Sequence, residues 1–230
     1  KNGSKASATY TPTVNPVTLT PTNKVSEDIQ NVPQTETPTF ALSDDETAQI
    51  TSKKLIDPAT GQPTDETTVT VAGEGTYTID PTTGAVTFTP EKDFVGTATG
   101  VKVQATATIT NADGKTSTIT SDASYTPTVV AAVPTANPAT SKDIQGATQT
   151  GKPVFQGGTA MVNGEEKTVV IDESVKPTFN DGTTTKTIPG EGTYTVAPDG
   201  TVTFVPEKSF TGKGTGVTVV RVDKNGTKAS

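Results

Sequence analysis

Short runs of alternating apolar and polar residues recur along the chain. Tyr77 and Ile79 alternate with polar residues before a Pro-Thr-Thr-Gly turn, and Val86 and Phe88 alternate in the same way after it. A period of two is typical of a β-strand with one buried face, and two such runs joined by a turn predict a hairpin. No stretch has a convincing helical period. The pattern therefore predicts an all-β fold.

The hairpin belongs to a longer unit that occurs twice. Gly-Glu-Gly-Thr-Tyr-Thr occupies 73–78 and again 190–195, and the segment Ser26–Gln30 is matched by Ser141–Gln145. The offsets are 117 and 115 residues, a difference that short loop insertions would produce. An internal repeat of this length is in the size range of a domain, so we expect two copies of one folded unit.

The start of the chain carries a third copy of one motif. Ala-Thr-Tyr-Thr-Pro-Thr-Val at 8–14 matches Ala-Ser-Tyr-Thr-Pro-Thr-Val at 123–129. We therefore expect residues 1–14 to be the last strand of a preceding repeat. Residues 15–129 (the first unit) are then a complete β-sandwich repeat, and residues 130–230 (the second unit) are a repeat lacking its final strand.

A second hairpin is expected to close each unit. Its turn is Asp113-Gly114 in the first unit and Asn225-Gly226 in the second, and such pairs favour type I′ turns. Val103 precedes Gly114 by 11 residues, whereas Val219 precedes Gly226 by 7. This arm of the hairpin is therefore longer in the first unit by four residues. Because four is an even number, every side chain keeps its face of the sheet. Asn163-Gly164 predicts a further hairpin in the second unit.

Composition fits this reading and limits the size of the core. Threonine accounts for 51 of the 230 residues, and apolar residues for only 30%. Short strands with closely spaced turns predict tandem antiparallel β-sandwich (Ig-like) repeats in an elongated chain. The expected junctions, 11–16 and 126–130, contain proline and no acidic cluster, so they should be semi-rigid without bound metal.

Several classes of function are disfavoured. The chain has no His or Cys, which removes most metal sites, most nucleophile–base pairs and all disulfides. The net charge of −7 argues against nucleic-acid binding, and no apolar run is long enough for a membrane span. We assign no catalytic, cofactor-binding or metal-ligating residue, expect no cofactor, and do not expect an enzyme.

Three features admit a chemical role beside a structural one. Asp44-Asp45-Glu46 could ligate Ca²⁺, but EF-hand spacing is missing and a solvated acidic loop is favoured. Asn2-Gly3-Ser4 and Asn225-Gly226-Thr227 match the N-glycosylation sequon, yet both occupy the same hairpin turn. A high content of threonine and proline is also typical of O-glycosylated stalks, although the alternation of threonine with valine favours β-strands. Lys–Asn isopeptide cross-links stay open, because sequence alone cannot bring the required groups together.

These motifs resemble a known family. Gly-Glu-Gly-Thr-Tyr-Thr, a turn, Val-Thr-Phe-x-Pro, a Phe-x-Gly, a Val-rich strand and Tyr-Thr-Pro-Thr-Val are similar to the CshA-type fibril repeat of streptococcal and related surface proteins. The resemblance is specific over 73–129 and 190–230. It implies a long extracellular, cell-wall-anchored adhesin whose repeats form a fibril, with adhesion by a separate non-repetitive N-terminal region.

Three hypotheses for function follow. The first is a structural stalk that projects an adhesive tip from the cell wall, with neighbouring repeats as the only partners. In the second, the repeats are adhesive modules, with a site in the divergent stretches 41–72 and 156–189. In the third, residues 8–14 add as a strand to another copy and join molecules head to tail.

Overall fold

The computed structural model describes residues 2–44, 46–92 and 94–230. Every regular element in these ranges is a β-strand, which confirms the all-β prediction. None of the described residues forms a helix that could cross a membrane. Lys1, which belongs to the predicted strand at 1–14, lies outside the described residues.

The first unit contains twelve strands within the described ranges. They are β1 (Leu19–Thr22), β2 (Lys24–Ile29), β3 (Gln34–Glu36), β4 (Thr39–Leu42), β5 (Ala48–Asp57), β6 (Gln62–Pro63), β7 (Thr68–Val71), β8 (Gly75–Ile79), β9 (Val86–Pro90), β10 (Gly96–Thr97), β11 (Val101–Thr110) and β12 (Thr116–Val130).

These strands form two main sheets that pack face to face. One sheet has the order β10-β12-β11-β5-β6, with β2 also paired to β12, and the other has the order β3-β9-β8-β7. The pairing of β2 with β12 is parallel, and the other pairings described in this unit are antiparallel.

Both sheets contribute to one apolar core, which makes the unit a β-sandwich. Eleven buried residues form it: Leu55, Val69, Tyr77, Ile79, Val86, Phe88, Ala98, Val101, Val103, Tyr125 and Val129. The Tyr77 ring lies 4.7 Å from that of Phe88 and meets the Tyr125 ring edge-on at 6.3 Å. The alternation seen in the sequence therefore points its apolar residues into this core.

The predicted hairpins of the first unit are confirmed. Tyr77 pairs with Phe88 across β8 and β9. Along β11 and β12 the register runs from Val103 opposite Ala123 to Thr110 opposite Thr116. The extended arms therefore pair over their whole length, as the in-phase insertion predicted.

The turn type predicted for two of the hairpins is wrong. A type I′ turn requires positive φ at both central residues, and this holds for Asn163 (50°) and Gly164 (82°). At Gly114 and Gly226, φ is 78° and 79°, but the preceding Asp113 and Asn225 are not in the positive region. The Gly114 N–H donates to the Asn111 carbonyl at 2.9 Å, so the loop is a type I turn followed by a left-handed glycine.

The second unit contains eleven shorter strands within the described residues. They are β13 (Thr135–Asn137), β14 (Gln149–Gly151), β15 (Val154–Gln156), β16 (Thr159–Val162), β17 (Glu165–Thr168), β18 (Thr178–Phe179), β19 (Thr185–Ile188), β20 (Gly192–Val196), β21 (Val202–Pro206), β22 (Val219–Val222) and β23 (Lys228–Ala229).

These strands form one four-stranded sheet and three smaller ones. The order of the larger sheet, β14-β21-β20-β19, repeats that of β3-β9-β8-β7. Its core is smaller, with four buried residues: Phe179, Tyr194, Val196 and Val219. Phe204 and Val202 are only partly buried, whereas their counterparts Phe88 and Val86 are fully buried. The core of the second unit is therefore shielded from solvent less completely than that of the first.

Residues 2–18 contain no assigned strand, and the apolar side chains of 2–14 are solvent-exposed. Tyr10 is 87% exposed and Val14 is 89% exposed, while the matching Tyr125 and Val129 are buried. The prediction that 1–14 is the last strand of a preceding repeat stays a prediction.

The molecule is extended rather than compact. Its accessible surface is 13969 Å² for a mass of 23.6 kDa. A compact monomer of that mass exposes about 9,800 Å². The excess agrees with the predicted elongated arrangement of tandem units.

Candidate functional site

The candidate calcium loop is a hydrogen-bonded turn in the structure. The Asp44 carboxylate accepts hydrogen bonds from the Glu46 N–H at 2.9 Å and the Thr47 hydroxyl at 3.3 Å. Asp45 lies outside the described residues. Among those that are described, no three His, Cys, Asp or Glu side chains are grouped to hold a metal ion.

The sequons and lysines take structural positions. Asn225 lies in the turn whose backbone is shaped by Asp223, a carboxylate that accepts the N–H of Asn225 at 2.9 Å and of Thr227 at 2.8 Å. Asn2 accepts the Ser4 N–H at 3.3 Å in a similar local contact. No lysine in the described ranges is buried, so the geometry gives no support to an isopeptide cross-link in a core.

The expected position of the proline junction is corrected. Residues 126–130 belong to β12 rather than to a linker, and Pro127 is fully buried. The connection between units is the short segment 131–134, which runs from β12 to β13.

The two units pack against each other beside this connection. Ile29 of the first unit, Ala132 of the connection, and Val162 and Val169 of the second unit form one buried apolar cluster. Val162 lies in β16, so the hairpin of β16 and β17 delivers apolar side chains to the junction. Burial of these groups favours one orientation of the units, because separating them would expose apolar surface to water.

Hydrogen bonds between side chains and backbone fix that orientation. Gln30 Nε2 donates to the Thr227 hydroxyl at 3.0 Å. Asn31 Nδ2 donates to the Asn225 carbonyl at 3.1 Å, and Asn225 Nδ2 donates to the Gln30 carbonyl at 3.2 Å. Lys167 and Asp28 form an ion pair across the junction at 2.9 Å. Because hydrogen bonds weaken steeply when donor and acceptor are misaligned, these contacts favour one orientation of the two units.

Two glycines allow the backbones to meet at the junction. A Cβ on Gly158 would lie 2.3 Å from the Ala132 carbonyl carbon, and one on Gly157 would lie 1.8 Å from the Val169 carbonyl oxygen. Only glycine allows such a close approach. The role of this Gly-Gly pair cannot be predicted from the sequence, because it depends on the backbone that faces it.

The last strand of the first unit is held by a polar cluster that the motifs alone did not reveal. Ser26 Oγ lies 2.7 Å from the Tyr125 hydroxyl and donates to Gln34 Oε1. Gln34 Nε2 donates to the Thr128 carbonyl at 2.9 Å. Because Ser26 has a single hydroxyl proton, Tyr125 is the donor in its bond with Ser26. These contacts attach β12 to the rest of the sandwich.

The glutamate of Gly-Glu-Gly-Thr-Tyr-Thr also has a structural role in both units. Glu74 accepts the Thr99 N–H at 2.8 Å, and Glu191 accepts the Thr215 N–H at 2.8 Å. Tyr194 donates a short hydrogen bond to Glu191. Burial would raise the pKa of Glu191, but the bonds from Tyr194 and Thr215 outweigh burial and lower it.

Buried tyrosines should make the fold sensitive to alkali. Burial raises the pKa of Tyr77 and Tyr125, and raises that of Tyr194 to about 12, with its bond to Glu191 acting in the same direction. A tyrosine whose pKa is raised on folding contributes full stability below its unfolded pKa and loses it as pH rises through the folded one. The unfolded value is 10.0, so we expect the free energy of unfolding to fall from pH 10 to pH 12.

Urea unfolding followed by circular dichroism across that range measures this effect. Tyr194→Phe should make the free energy of unfolding fall less steeply between pH 10 and pH 12. Tyr10→Phe changes an exposed ring and should leave the pH dependence unchanged. A free energy of unfolding that stays level from pH 10 to pH 12 would contradict the assignment.

Comparison with known proteins identifies the repeats. The family model of the surface adhesin CshA repetitive domain matches residues 16–129 and 131–230. A comparison with curated protein sequences gives no match.

Three solved structures show distant similarity to this chain. Domains EC22-24 of mouse cadherin-23 are 12% identical with a TM-score of 0.29, and the alignment covers 90% of this chain and 59% of that one. Drosophila N-cadherin EC1-4 is 10% identical with a TM-score of 0.26, covering 90% and 46%. The N-terminal four Ig domains of Dscam1 isoform 8.4 are 14% identical with a TM-score of 0.25, covering 93% and 50%. The chain spans about half the length of these structures, and TM-scores this low carry no argument.

The family match covers nearly the whole chain and agrees with the resemblance carried by the motifs. A repeat of a surface adhesin has an extracellular location at the cell surface. The chain therefore belongs to the family of surface adhesin CshA repetitive domains.

Proposed function

We propose that this chain is a non-catalytic spacer in the stalk of a bacterial surface fibril. Residues 15–129 and 130–230 are two consecutive repeats, and residues 1–14 are the last strand of a preceding one. In the parent protein the stalk is anchored in the cell wall and lifts a separate adhesive tip away from it. The packed junction between the units is the observation that carries this proposal.

A spacer must keep its length, and a packed junction serves that need. If consecutive units rotated freely, the end-to-end distance of many repeats would shrink toward that of a flexible chain. The buried cluster around Ile29 and Val162, together with the paired bonds of Gln30 and Asn31, resists such rotation. Each further repeat in tandem then adds to the length of the stalk.

The adhesive-module alternative receives less support from the divergent stretches. In the second unit, β16 and β17 lie within 156–189, and this hairpin is used at the junction through Val162 and Lys167. An open groove of about 700 Å³ remains nearby, lined by residues that include Phe155, Asp172 and Lys224. That groove is where a ligand of the repeats would be sought.

Binding measurements on the whole chain separate the two functions. The chain is immobilised and host extracellular matrix proteins are passed over it by biolayer interferometry, with an antibody to the chain as the capture control. We expect no saturable binding. Saturable binding that Asp172→Ala weakens would overturn the spacer assignment and place an adhesive site in the groove near Phe155.

A further inference from the structure

The second unit has an open groove at the place that β12 occupies in the first unit. The groove has a volume of about 150 Å³ and is lined by residues that include Ala139, Ser141, Gln149, Phe204 and Val217. The counterparts of Ser141 and Gln149 are Ser26 and Gln34, which hold β12 in the first unit. The groove is therefore the counterpart of an occupied strand site.

Segments that border the groove have no strand pairing, although their counterparts do. In the first unit β12 pairs with β2, β10 and the start of β11. The counterparts in the second unit are 139–144, 212–213 and 217–218, and none of them is in a strand. These three segments are therefore unpaired, and one added strand in the position of β12 would pair with all of them.

The polar contacts for such a strand are already in place. Ser141 Oγ donates to Gln149 Oε1 at 2.7 Å, as Ser26 does to Gln34. In the first unit this arrangement presents Ser26 Oγ to a tyrosine hydroxyl and Gln34 Nε2 to a backbone carbonyl. Gln149 Nε2 makes no hydrogen bond among the described residues, so the donor is available.

Space for the incoming backbone is also present. A Cβ on Gly100 would lie 2.6 Å from the Tyr125 carbonyl oxygen, so this glycine passes directly beneath β12. The counterpart Gly216 has the same left-handed backbone, with φ of 78°, and nothing within 4 Å of the position of a Cβ. The site is shaped for a strand and is sterically free.

The chain itself carries a segment with the required sequence. Residues 8–14 share the pattern Ala-x-Tyr-Thr-Pro-Thr-Val with 123–129. Tyr10 and Val14 are 87% and 89% exposed, so their apolar surface is uncovered. We propose that residues 8–14 of a second copy dock into the groove of the second unit and join copies of this chain head to tail by strand addition.

The first unit defines the register of the docked strand. Tyr125 lies opposite Val101 in the antiparallel pairing and opposite Lys24 in the parallel one. By equivalence, Tyr10 of the second copy lies between Val217 and Ala139. Its hydroxyl donates to Ser141 Oγ, and Gln149 Nε2 donates to the Thr13 carbonyl. The Tyr10 ring meets the Tyr194 ring edge-on, as Tyr125 meets Tyr77 in the first unit.

Sedimentation velocity of the whole chain from micromolar to millimolar concentration tests this docking. We expect concentration-dependent oligomers, with amides of 139–144 and 215–218 protected from hydrogen exchange only when copies associate. Burial of a large side chain contributes enough that Tyr10→Ala should weaken association about 10- to 100-fold. Gly216→Ala should abolish it, because its Cβ would meet the Tyr10 carbonyl. Gly182→Ala is the matched control, since Gly182 also has positive φ, at 83°, and nothing within 4 Å of the position of a Cβ, and it lies outside the three segments that the docked strand would pair with.

Three results would overturn the proposal. The first is a chain that stays monomeric at millimolar concentration with 8–14 unprotected. The second is a monomer in which 8–14 is protected, because that segment would then dock within its own molecule. The third is association that Tyr10→Ala and Gly216→Ala leave unchanged. None of these results bears on the spacer function, which is tested by ligand binding and by the rigidity of the junction.

Discussion

Phe88→Ala should destabilise the first unit by roughly 3–5 kcal/mol, the usual cost of removing a fully buried phenylalanine. Phe88 has no exposed surface, and its ring contacts those of Tyr77 and Phe94 at 4.7 and 6.3 Å. The core around it is small and little else can fill the cavity. Because single domains are stable by only about 5–15 kcal/mol, a large fraction of the first unit should be unfolded in moderate urea.

The second unit provides the matched control. Phe204 stacks on Tyr194 at 4.4 Å as Phe88 does on Tyr77, but it is only partly buried. Phe204→Ala should therefore destabilise the second unit by clearly less than Phe88→Ala destabilises the first. Urea unfolding followed by resolved NMR amide signals reports each unit separately within the whole chain. Equal losses for the two variants would show that the difference in burial between the units is not real.

Gly158→Ala should separate the two units without unfolding either one. Its Cβ would lie 2.3 Å from the Ala132 carbonyl carbon and 2.5 Å from the Val133 nitrogen, and backbone atoms cannot rotate away as a side chain can. Overpacking of this kind costs about 1–3 kcal/mol. That is enough to open a junction held by one small apolar cluster and a few hydrogen bonds. We expect the backbone amide chemical shifts of Ile29 and Gln30 in the first unit to change, because both residues contact the second unit only while the junction is closed.

Gly151→Ala controls for the loss of a glycine as such. Neither Gly151 nor Gly158 has positive φ, so alanine strains the backbone at neither position. A Cβ on Gly151 would lie 3.4 Å from the Ala139 Cβ, which is an ordinary contact. This variant should leave the amide chemical shifts of Ile29 and Gln30 unchanged. If both variants, or neither, changed these shifts, close backbone approach at Gly158 would not be what holds the junction.

The sequence predicted the elements that depend on local pattern. Alternation located Tyr77, Phe88 and their hairpin, and the even insertion between Val103 and Gly114 predicted the long pairing of β11 with β12. Repetition at offsets of 115 to 117 residues predicted two copies of one unit. The hairpin and the long pairing follow from the two-residue period of a strand, which can be read without knowing what faces it.

The junction could not be predicted in the same way. Gln30 and Thr227 are 197 residues apart, and their bond depends on how two sandwiches meet. Gly158 is required because the backbone of Ala132 and Val133, in the connection itself, approaches it closely. The turn at Asp113-Gly114 was predicted wrongly because the same dipeptide suits both a two-residue type I′ loop and a longer loop ending in a left-handed glycine. Loop length in three dimensions, which the pairing of Thr110 with Thr116 fixes, decides between them.

The central claim is that consecutive repeats form a rigid spacer, and residual dipolar couplings measured on the whole chain in a dilute aligned medium test it most directly. If the cluster around Ile29 and Val162 and the bonds of Gln30 and Asn31 hold the units together, couplings from both units fit one alignment tensor with the orientation seen in the structure. Two tensors of different magnitude would show that the units reorient independently, and would contradict the rigid spacer.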